Sequence, residues 1–185
     1  MKNVILLALC LSSVIFSCTT NPIIEAVKDA SFDNKINNFL VVLVTEGVYI
    51  YKDISNSESF VKIEDLLIEN IKKEFDKHGI EYVFITKPGL SVNFEDKIAS
   101  ELSTSNIRYV LTFSTVKREI IVSNQYGSTA VPILHLEADI EDWTLRKKTW
   151  KATSSEIAGQ YGRKGIIIGY SLYSKYAPGI IEKMI

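Results

Sequence analysis

The stretch Phe39-Leu40-Val41-Val42-Leu43-Val44 is an unbroken run of apolar residues that favour β-strands. A strand that is covered on both faces of a sheet has this pattern, because neither of its faces needs polar residues. Thr45-Glu46-Gly47 interrupts the run, and residues 48–51 either continue it past a bulge or open a loop. The stretch therefore predicts a central strand, and the segments around it must supply the layers that cover it.

The next segment predicts an amphipathic helix. Apolar residues recur every three or four positions, which places them on one helix face. They are Phe60, Ile63, Leu67, Ile71 and Phe75. Ser57 or Ser59 is placed to cap the start of this helix. Gly79 is placed to end it in the left-handed conformation, with Ile80 folding back on Phe75.

The rest of the chain repeats this unit once and then changes to successive strands. Residues 81–86 predict a strand, and Asn93 is placed to cap a helix that buries Phe94, Ile98 and Leu102. Residues 107–123 form either one bent strand or a tight pair. Further predicted elements are strands over 131–142 and 148–153 and a last helix over 166–184, kinked or split at Pro178-Gly179.

These elements follow the order β-α-β-α-β-β-β-α. The first part implies parallel strands joined by crossover helices, and the second part implies antiparallel hairpins. We therefore predict an α/β (α+β) fold, in which a mixed sheet of about five strands packs with three helices.

Composition limits the class of protein. The chain has 185 residues, a hydrophobic fraction of 46% and a formal net charge of −1, which fits one globular domain. Positive residues form no block of the kind that grips phosphate backbones, so we expect no nucleic-acid partner. The cysteines are Cys10 and Cys18. If residues 1–17 are removed, Cys18 remains alone and no internal disulfide can form.

The N-terminus has the parts of a membrane-targeting signal. Lys2 supplies a positive charge, and Val4 to Phe16 supply an apolar core of 13 residues. This core is shorter than the ~20 residues that span a bilayer as a helix. An ordinary cleaved signal wants small residues at the last and third-last positions, and Ile15 is too large for the third-last. Plain secretion and an uncleaved anchor remain as alternatives to a lipoprotein signal.

The stretch Ile15-Phe16-Ser17-Cys18 resembles a bacterial lipobox, although Phe16 stands where a small residue is usual. The resemblance implies cleavage before Cys18, lipidation of that cysteine by fatty acids such as palmitate, and stable attachment to a membrane. Thr19 follows where an aspartate would favour the inner membrane, so we expect the outer membrane rather than the inner, facing the periplasm or the cell surface.

The predicted organisation follows from this signal. Residues 1–17 are the signal peptide, residues 18–38 are the lipidated cysteine and a polar tether, and residues 39–185 are a single domain. Within the tether, residues 25–32 form at most a turn of helix.

A second resemblance covers the predicted β-hairpin near the C-terminus. The stretch from Ile140 to Ala152 contains Asp142 at a strand end, Thr144 in a turn and Trp150 on the return strand. Together with Ile107-Arg108-Tyr109-Val110-Leu111, this resembles uncharacterised families of envelope lipoproteins and the domain of lipoproteins that activate penicillin-binding proteins. The resemblance implies a fold and no activity.

One strand carries candidates for metal binding. His135, Glu137, Asp139 and Glu141 alternate along the predicted strand and so share one face. Histidine and carboxylates suit a divalent metal. However, same-face neighbours lie about 6.6 Å apart, which is too wide to converge on one ion without a second element. The simpler interpretation is an acidic stripe that faces solvent opposite lysines of the next strand.

Three tyrosines near the C-terminus share a side at spacings of three. Tyr170, Tyr173 and Tyr176 form either part of the core or an exposed aromatic contact surface, where interface energy concentrates. No catalytic motif and no cofactor fingerprint occurs in the chain.

We therefore expect a membrane-anchored lipoprotein that binds or assembles with a protein of the cell envelope and is not an enzyme. The first alternative is a ligand- or metal-binding envelope protein that uses the strand face of Glu137 and its neighbours. The second alternative is a subunit of a homo-oligomeric envelope complex. No cofactor is expected.

Overall fold

The computed structural model describes residues 23–32, 35–44, 48–51, 60–86, 93–162, 165–169 and 174–185. Within these ranges, eleven strands and three helices form. In chain order they are β1 (Ile24–Lys28), β2 (Asn38–Val44), β3 (Val48–Tyr51), β4 (Phe60–Lys62), α1 (Ile63–His78), β5 (Glu81–Thr86), α2 (Phe94–Ser105), β6 (Tyr109–Asn124), β7 (Gly127–Asp142), β8 (Lys147–Ser154), β9 (Ile157–Ala158), β10 (Gln160–Gly162), β11 (Gly165–Gly169) and α3 (Tyr176–Met184).

The predicted mixed α+β class is confirmed, but the strands outnumber the five that were predicted. The main sheet has the order β1-β8-β7-β6-β2-β5, and the short β9 pairs with β7. Strand β2 pairs parallel with both β5 and β6, whereas β6, β7, β8 and β1 pair antiparallel. A parallel half built on crossover helices and an antiparallel meander thus share one sheet.

Strand β2 is the centre of the fold, as its apolar run predicts. Phe39, Val41 and Leu43 belong to the larger core cluster on one face of the sheet. Leu40 and Val42 belong to a smaller cluster on the other face. Because both faces are covered, the strand needs no polar residue from 39 to 43.

The helices supply these two covers. Helices α1 and α3 pack on the face with the larger cluster, and α2 packs on the opposite face through Ile98 and Leu102. Helix α1 ends as predicted, since Gly79 adopts φ 65° and the amide of Ile80 donates to the carbonyl of Phe75 at 2.9 Å. Asn93 does precede α2, but its side chain makes no capping hydrogen bond.

Helix α1 begins three residues later than predicted. Phe60–Lys62 is strand β4, and Lys62 stands at the helix start without a side-chain cap. The predicted caps Ser57 and Ser59 lie outside the described residues. The apolar spacing of the helix continues into this strand, so the pattern alone misplaced the boundary.

A second sheet of four strands, with the order β10-β11-β3-β4, was not predicted. Its presence corrects the prediction of one helix over 166–184, because Gly165–Gly169 is strand β11 and the helix starts only at Tyr176. A short apolar run between glycines fits a strand as well as a helix. Pro178 lies in the first turn of α3, where its missing N–H costs no intrahelical bond.

Strand β1 corrects the predicted tether. Ile24–Lys28 pairs antiparallel with β8 at the edge of the main sheet, so this part of the 18–38 segment belongs to the domain and is not a helical turn. The pairing places Ile24 opposite Ser154 and Lys28 opposite Trp150. The chain therefore enters the sheet at most six residues after Cys18.

The hairpin of β6 and β7 extends beyond the sheet. Each strand has 16 residues, and they pair from Tyr109 with Asp142 to Asn124 with Gly127. Other strands of the main sheet pair with only the near part: β2 with residues 110–114, β8 with 137–142 and β9 with 133–134. Residues 117–131 are therefore a two-stranded ribbon, which we call the arm. The bent-strand alternative for residues 107–123 is confirmed as one continuous strand.

Candidate functional site

The predicted acidic stripe lies on the face of β7 that points away from the larger core cluster. Its residues are half-buried and alternate with fully buried neighbours such as Leu136 and Ala138. His135, Glu137, Asp139 and Glu141 thus do share one face, as their alternation predicts. Helix α2 covers this face over β2, β5 and β6, where the smaller core cluster lies.

Lysines of β8 pair with the stripe. Lys151 Nζ lies 3.1 Å from Glu137 Oε1, and Lys148 Nζ lies 3.2 Å from Asp139 Oδ2. His135 Nε2 lies 3.4 Å from the same oxygen of Glu137. Glu137 and Asp139 are therefore engaged by lysines of the neighbouring strand, as the simpler of the two interpretations expects.

The charge of Glu137 is stabilised by these neighbours. Burial acts to raise the pKa of Glu137, but hydrogen bonds and charge from Lys151 and His135 outweigh it and hold the pKa below its usual value. Glu137 is thus ionised at neutral pH and acts as a partner of Lys151. The ionised Glu137 stabilises the pairing of β7 with β8 through its ion pair with Lys151.

The metal interpretation of the stripe is not supported by its geometry. Within the described part of the chain, no group of three histidine, cysteine, aspartate or glutamate side chains is arranged to hold a metal ion. The spacing along β7 explains this for the stripe, because same-face residues lie too far apart to converge.

Asp142 organises the turn between β7 and β8. It is 2% exposed, and its carboxylate accepts hydrogen bonds from Arg108 Nε at 3.0 Å and from the amides of Thr144 and Leu145 at 3.1 and 3.2 Å. The bond from Arg108 holds the pKa of Asp142 below its usual range, and the two amides add to this effect against burial. The Asp-Thr turn of the predicted hairpin is therefore a structural device.

The return strand of this hairpin carries a buried tryptophan. Trp150 is 2% exposed, and its ring stacks on Phe32 with 6.4 Å between the centroids. Phe32 follows β1, so this contact ties the N-terminal edge strand to the core. The residues of the predicted hairpin motif thus hold the sheet together.

The predicted tyrosine surface is only partly described. Tyr176 is 4% exposed, and its hydroxyl lies 3.4 Å from Ser155 Oγ, so this residue is part of the core. Burial raises the pKa of its hydroxyl. Tyr170 and Tyr173 lie outside the described residues. Tyr176 therefore does not contribute an exposed contact surface.

Two surface clefts lie away from the stripe. One of about 160 Å³ is bounded by α1, β2 and the C-terminus, next to His78. A wider one of about 630 Å³ lies between the start of β1 and α3, next to Ile24 and Lys175. Neither of these two clefts is lined by His135 or by the carboxylates of the stripe.

The arm carries the largest group of exposed apolar side chains in the described residues. Ile121 is 75% exposed, Val122 45% and Ile120 38%, and Tyr126 at the tip is 89% exposed. Ile120 and Val122 share one face of the ribbon and Ile121 lies on the other, so both faces carry exposed apolar side chains. Clustered exposed apolar side chains are a candidate interaction site. This surface is not predictable from strand composition alone, because apolar residues in a strand normally indicate a core. The available signal was that apolar residues occupy both faces of the strand over 120–122.

The predicted anchor lies outside the described residues, since these begin at Ile23. Among the residues that the structure describes, no helix is long and apolar enough to cross a membrane. Lipidation of Cys18 therefore stays a prediction.

Comparison with known proteins gives structural likeness without sequence kinship. No family model matches the chain, and no curated protein matches it. Two structures described as PelC dodecamers from Paraburkholderia phytofirmans are similar, with 13% and 14% identity and a TM-score of 0.45 each. They cover 88% of this chain, which in turn covers 97% and 96% of theirs.

More distant likeness extends to two further solved structures. A minor lipoprotein from Acinetobacter baumannii has 9% identity and a TM-score of 0.35, over 80% of this chain and 89% of that one. A DUF330 protein from Xanthomonas campestris has 8% identity and a TM-score of 0.35, over 88% and 87%. The resemblance to activators of penicillin-binding proteins stays a prediction.

Proposed function

We propose that this chain is a lipid-anchored protein of the bacterial cell envelope that acts by binding another envelope component and not by catalysis. The observation that carries the proposal is the arm, which projects from the sheet and exposes Ile121, Val122 and Tyr126 to solvent. Such side chains add little to folding where they stand. A binding partner whose surface covers these side chains in the cell envelope would account for their exposure.

The N-terminal sequence supports the anchor. An apolar core too short to span a bilayer precedes Ile15-Phe16-Ser17-Cys18, and the folded domain begins within six residues of Cys18. Three acyl chains on this cysteine, as the lipobox resemblance implies, bury enough methylene groups to hold the domain on a membrane. We propose the outer membrane as its location.

Metabolic labelling with an alkyne analogue of palmitate tests the anchor. The wild-type chain should incorporate the label and sediment with membranes, whereas Cys18→Ala should do neither. Cys10→Ala is the matched control, because it removes the other cysteine and should leave labelling intact. Unchanged labelling of Cys18→Ala would refute the anchor.

Site-specific photo-crosslinking in intact cells tests binding through the arm. A photoreactive residue at position 121 should give a crosslinked product, either to a lipid or to a protein. The same residue at position 145 is the control, since Leu145 is 58% exposed in the turn at the opposite end of β7. Equal yields at the two positions would contradict a binding role of the arm.

A protein partner and self-association are the finer parts of this proposal. Mixed charges on the exposed sheet face, such as Lys148 beside Asp139, provide a surface that a protein partner of the envelope can complement. Size-exclusion chromatography of the mature chain tests the homo-oligomeric alternative directly. A monomer at micromolar concentration would leave binding to a different molecule as the function.

A further inference from the structure

We propose that the arm rests on the lipid headgroup surface of the same membrane that holds the anchor. This inference rests on the lipidation of Cys18 proposed above. It goes further by naming the occupant of the exposed apolar surface as lipid.

The chemistry of the arm suits a lipid surface. The charged residues of the arm, Lys117, Arg118 and Glu119, all lie at its base. Beyond them, the fifteen consecutive residues from Ile120 to Leu134 contain no aspartate, glutamate, lysine, arginine or histidine, in a chain of which 23% is charged. The exposed side chains of this stretch are all uncharged: aliphatic groups such as Ile121, Tyr126 at the tip, and the small or polar residues Ser123, Gln125, Ser128 and Thr129. Tyrosine prefers the membrane interface because its ring is apolar and its hydroxyl is polar. Contact with lipid therefore requires no charged side chain of this stretch to be desolvated.

The pairing of β1 places its first residue, Ile24, toward the end of the sheet from which the arm projects. Thr153 of β8 pairs with Glu137, so Ser154 and its β1 partner Ile24 lie level with Leu136 of β7. The hydrogen bond from the amide of Leu136 to Ser154 Oγ, at 2.9 Å, agrees with this register. Strand β1 then runs away from the arm. Strand β1 consequently starts at the side of the sheet from which the arm projects.

The lengths of the two segments bring the arm to the membrane. The six residue steps from Cys18 to Ile24 span at most about 20 Å. Along β7, the nine steps from Leu136 to Gly127 span about 30 Å at the rise of a strand. The tip of the arm thus extends further than the tether can reach. If the arm pointed straight at the membrane, its tip would pass through the membrane surface. If the domain is tilted, the arm lies along that surface.

The backbone of the arm limits how deep it can go. In the described part of the chain, no third strand pairs with residues 117–131, so outward backbone groups on both edges of the ribbon need polar surroundings. Hydrocarbon cannot satisfy such groups. The arm therefore lies among the headgroups and does not cross the bilayer.

Fluorescence labelling of the lipidated protein tests this contact. In the mature chain, Cys18 carries lipid, so Tyr126→Cys provides one thiol for an environment-sensitive fluorophore. Leu145→Cys is the matched control in the opposite turn, where the side chain is 58% exposed. The labelled proteins are reconstituted in vesicles of phosphatidylethanolamine and phosphatidylglycerol that contain a lipid with a quencher near the glycerol. The label at position 126 should be blue-shifted and quenched several-fold more than the label at position 145.

Flotation of the same vesicles separates this inference from the anchor. If the protein floats and both labels behave as in water, the anchor holds and the contact of the arm with lipid is refuted. If the label at position 126 is already shielded in the Cys18→Ala chain, in buffer without vesicles or detergent, a second copy covers the arm and the inference is also refuted. If the protein does not float, the anchor itself fails, and the inference falls with it.

Discussion

Two substitutions in the same strand separate the folding role of the sheet from the role of the arm. Phe113 and Ile121 both lie in β6, but Phe113 is fully buried in the larger core cluster, whereas Ile121 is 75% exposed. Phe113→Ala removes a ring from a packed site, which costs about 3–5 kcal/mol of unfolding free energy. Ile121→Thr keeps the branched side chain that favours a strand and removes only the small buried part, so it should cost about 0.5 kcal/mol.

Urea unfolding of the mature chain measures both effects. Trp143 and Trp150 report on the transition by fluorescence. With a denaturant dependence of about 2 kcal/mol per molar urea, Phe113→Ala should lower the midpoint by roughly 1.5–2.5 M. Ile121→Thr should lower it by less than about 0.3 M.

The result that would refute this reasoning is a comparable loss for the two variants. A cost above about 2 kcal/mol for Ile121→Thr would mean that the arm is packed within the domain and is not an exposed surface. A cost below about 1 kcal/mol for Phe113→Ala would contradict the position of the core at β6.

Three further predictions follow from single sites. Gly79→Ala should lower the unfolding free energy by about 1 kcal/mol, because φ at Gly79 is 65° and the added Cβ would meet no other atom. Gly79→Asn should lower it by less, since asparagine tolerates this conformation better. Equal losses for the two variants in thermal melts would contradict this prediction. Glu137→Gln should destabilise the protein most near neutral pH, since the lowered pKa of Glu137 adds stability that is lost as the pH falls through the range where it takes up a proton. Thermal melts from pH 7 to pH 3 should show the gap between the two proteins closing, and a constant gap would oppose the pairing with Lys151. Zinc or calcium should leave the melting temperature of the wild type unchanged, because lysines engage Glu137 and Asp139; a stabilisation that Glu137→Ala abolishes would revive the metal interpretation.

The parts of the fold that the sequence predicted are those in which one local pattern has one structural solution. The apolar run of β2 can only be covered on both sides, and Gly79 can end α1 where residues with a Cβ are strained. The β7–β8 hairpin is also predictable, because a short turn at residues 143–146 separates two clear strands.

The parts that were missed depend on partners distant in sequence. Strand β1 consists of five residues whose apolar members do not alternate clearly. It forms a strand because it pairs with β8. Strand β11 pairs parallel with β3, more than a hundred residues earlier, so nothing local distinguishes its short apolar run from a helix. Short edge and parallel strands of this kind carry too little local pattern to be recognised.

The candidate surface was missed for a related reason. The residues of the arm have the composition of a buried strand, and their exposure follows only from the length of the β6–β7 hairpin relative to β2 and β8. The acidic stripe shows the opposite case, because the alternation of its residues predicts their shared face and its pairing with lysines follows from the neighbouring strand.

The edge position of β1 also determines how the domain responds to force. A pull on the chain before Ile24 acts along the strand axis, toward the end from which the arm projects. The hydrogen bonds of an antiparallel pair run perpendicular to the strands, so all five residue pairs between β1 and β8 share such a load at once. The bonds cannot open one by one from the end, as they would if the strand were peeled sideways. A molecule tethered through this strand is thus loaded in shear, the direction in which a short β-ladder is mechanically strongest.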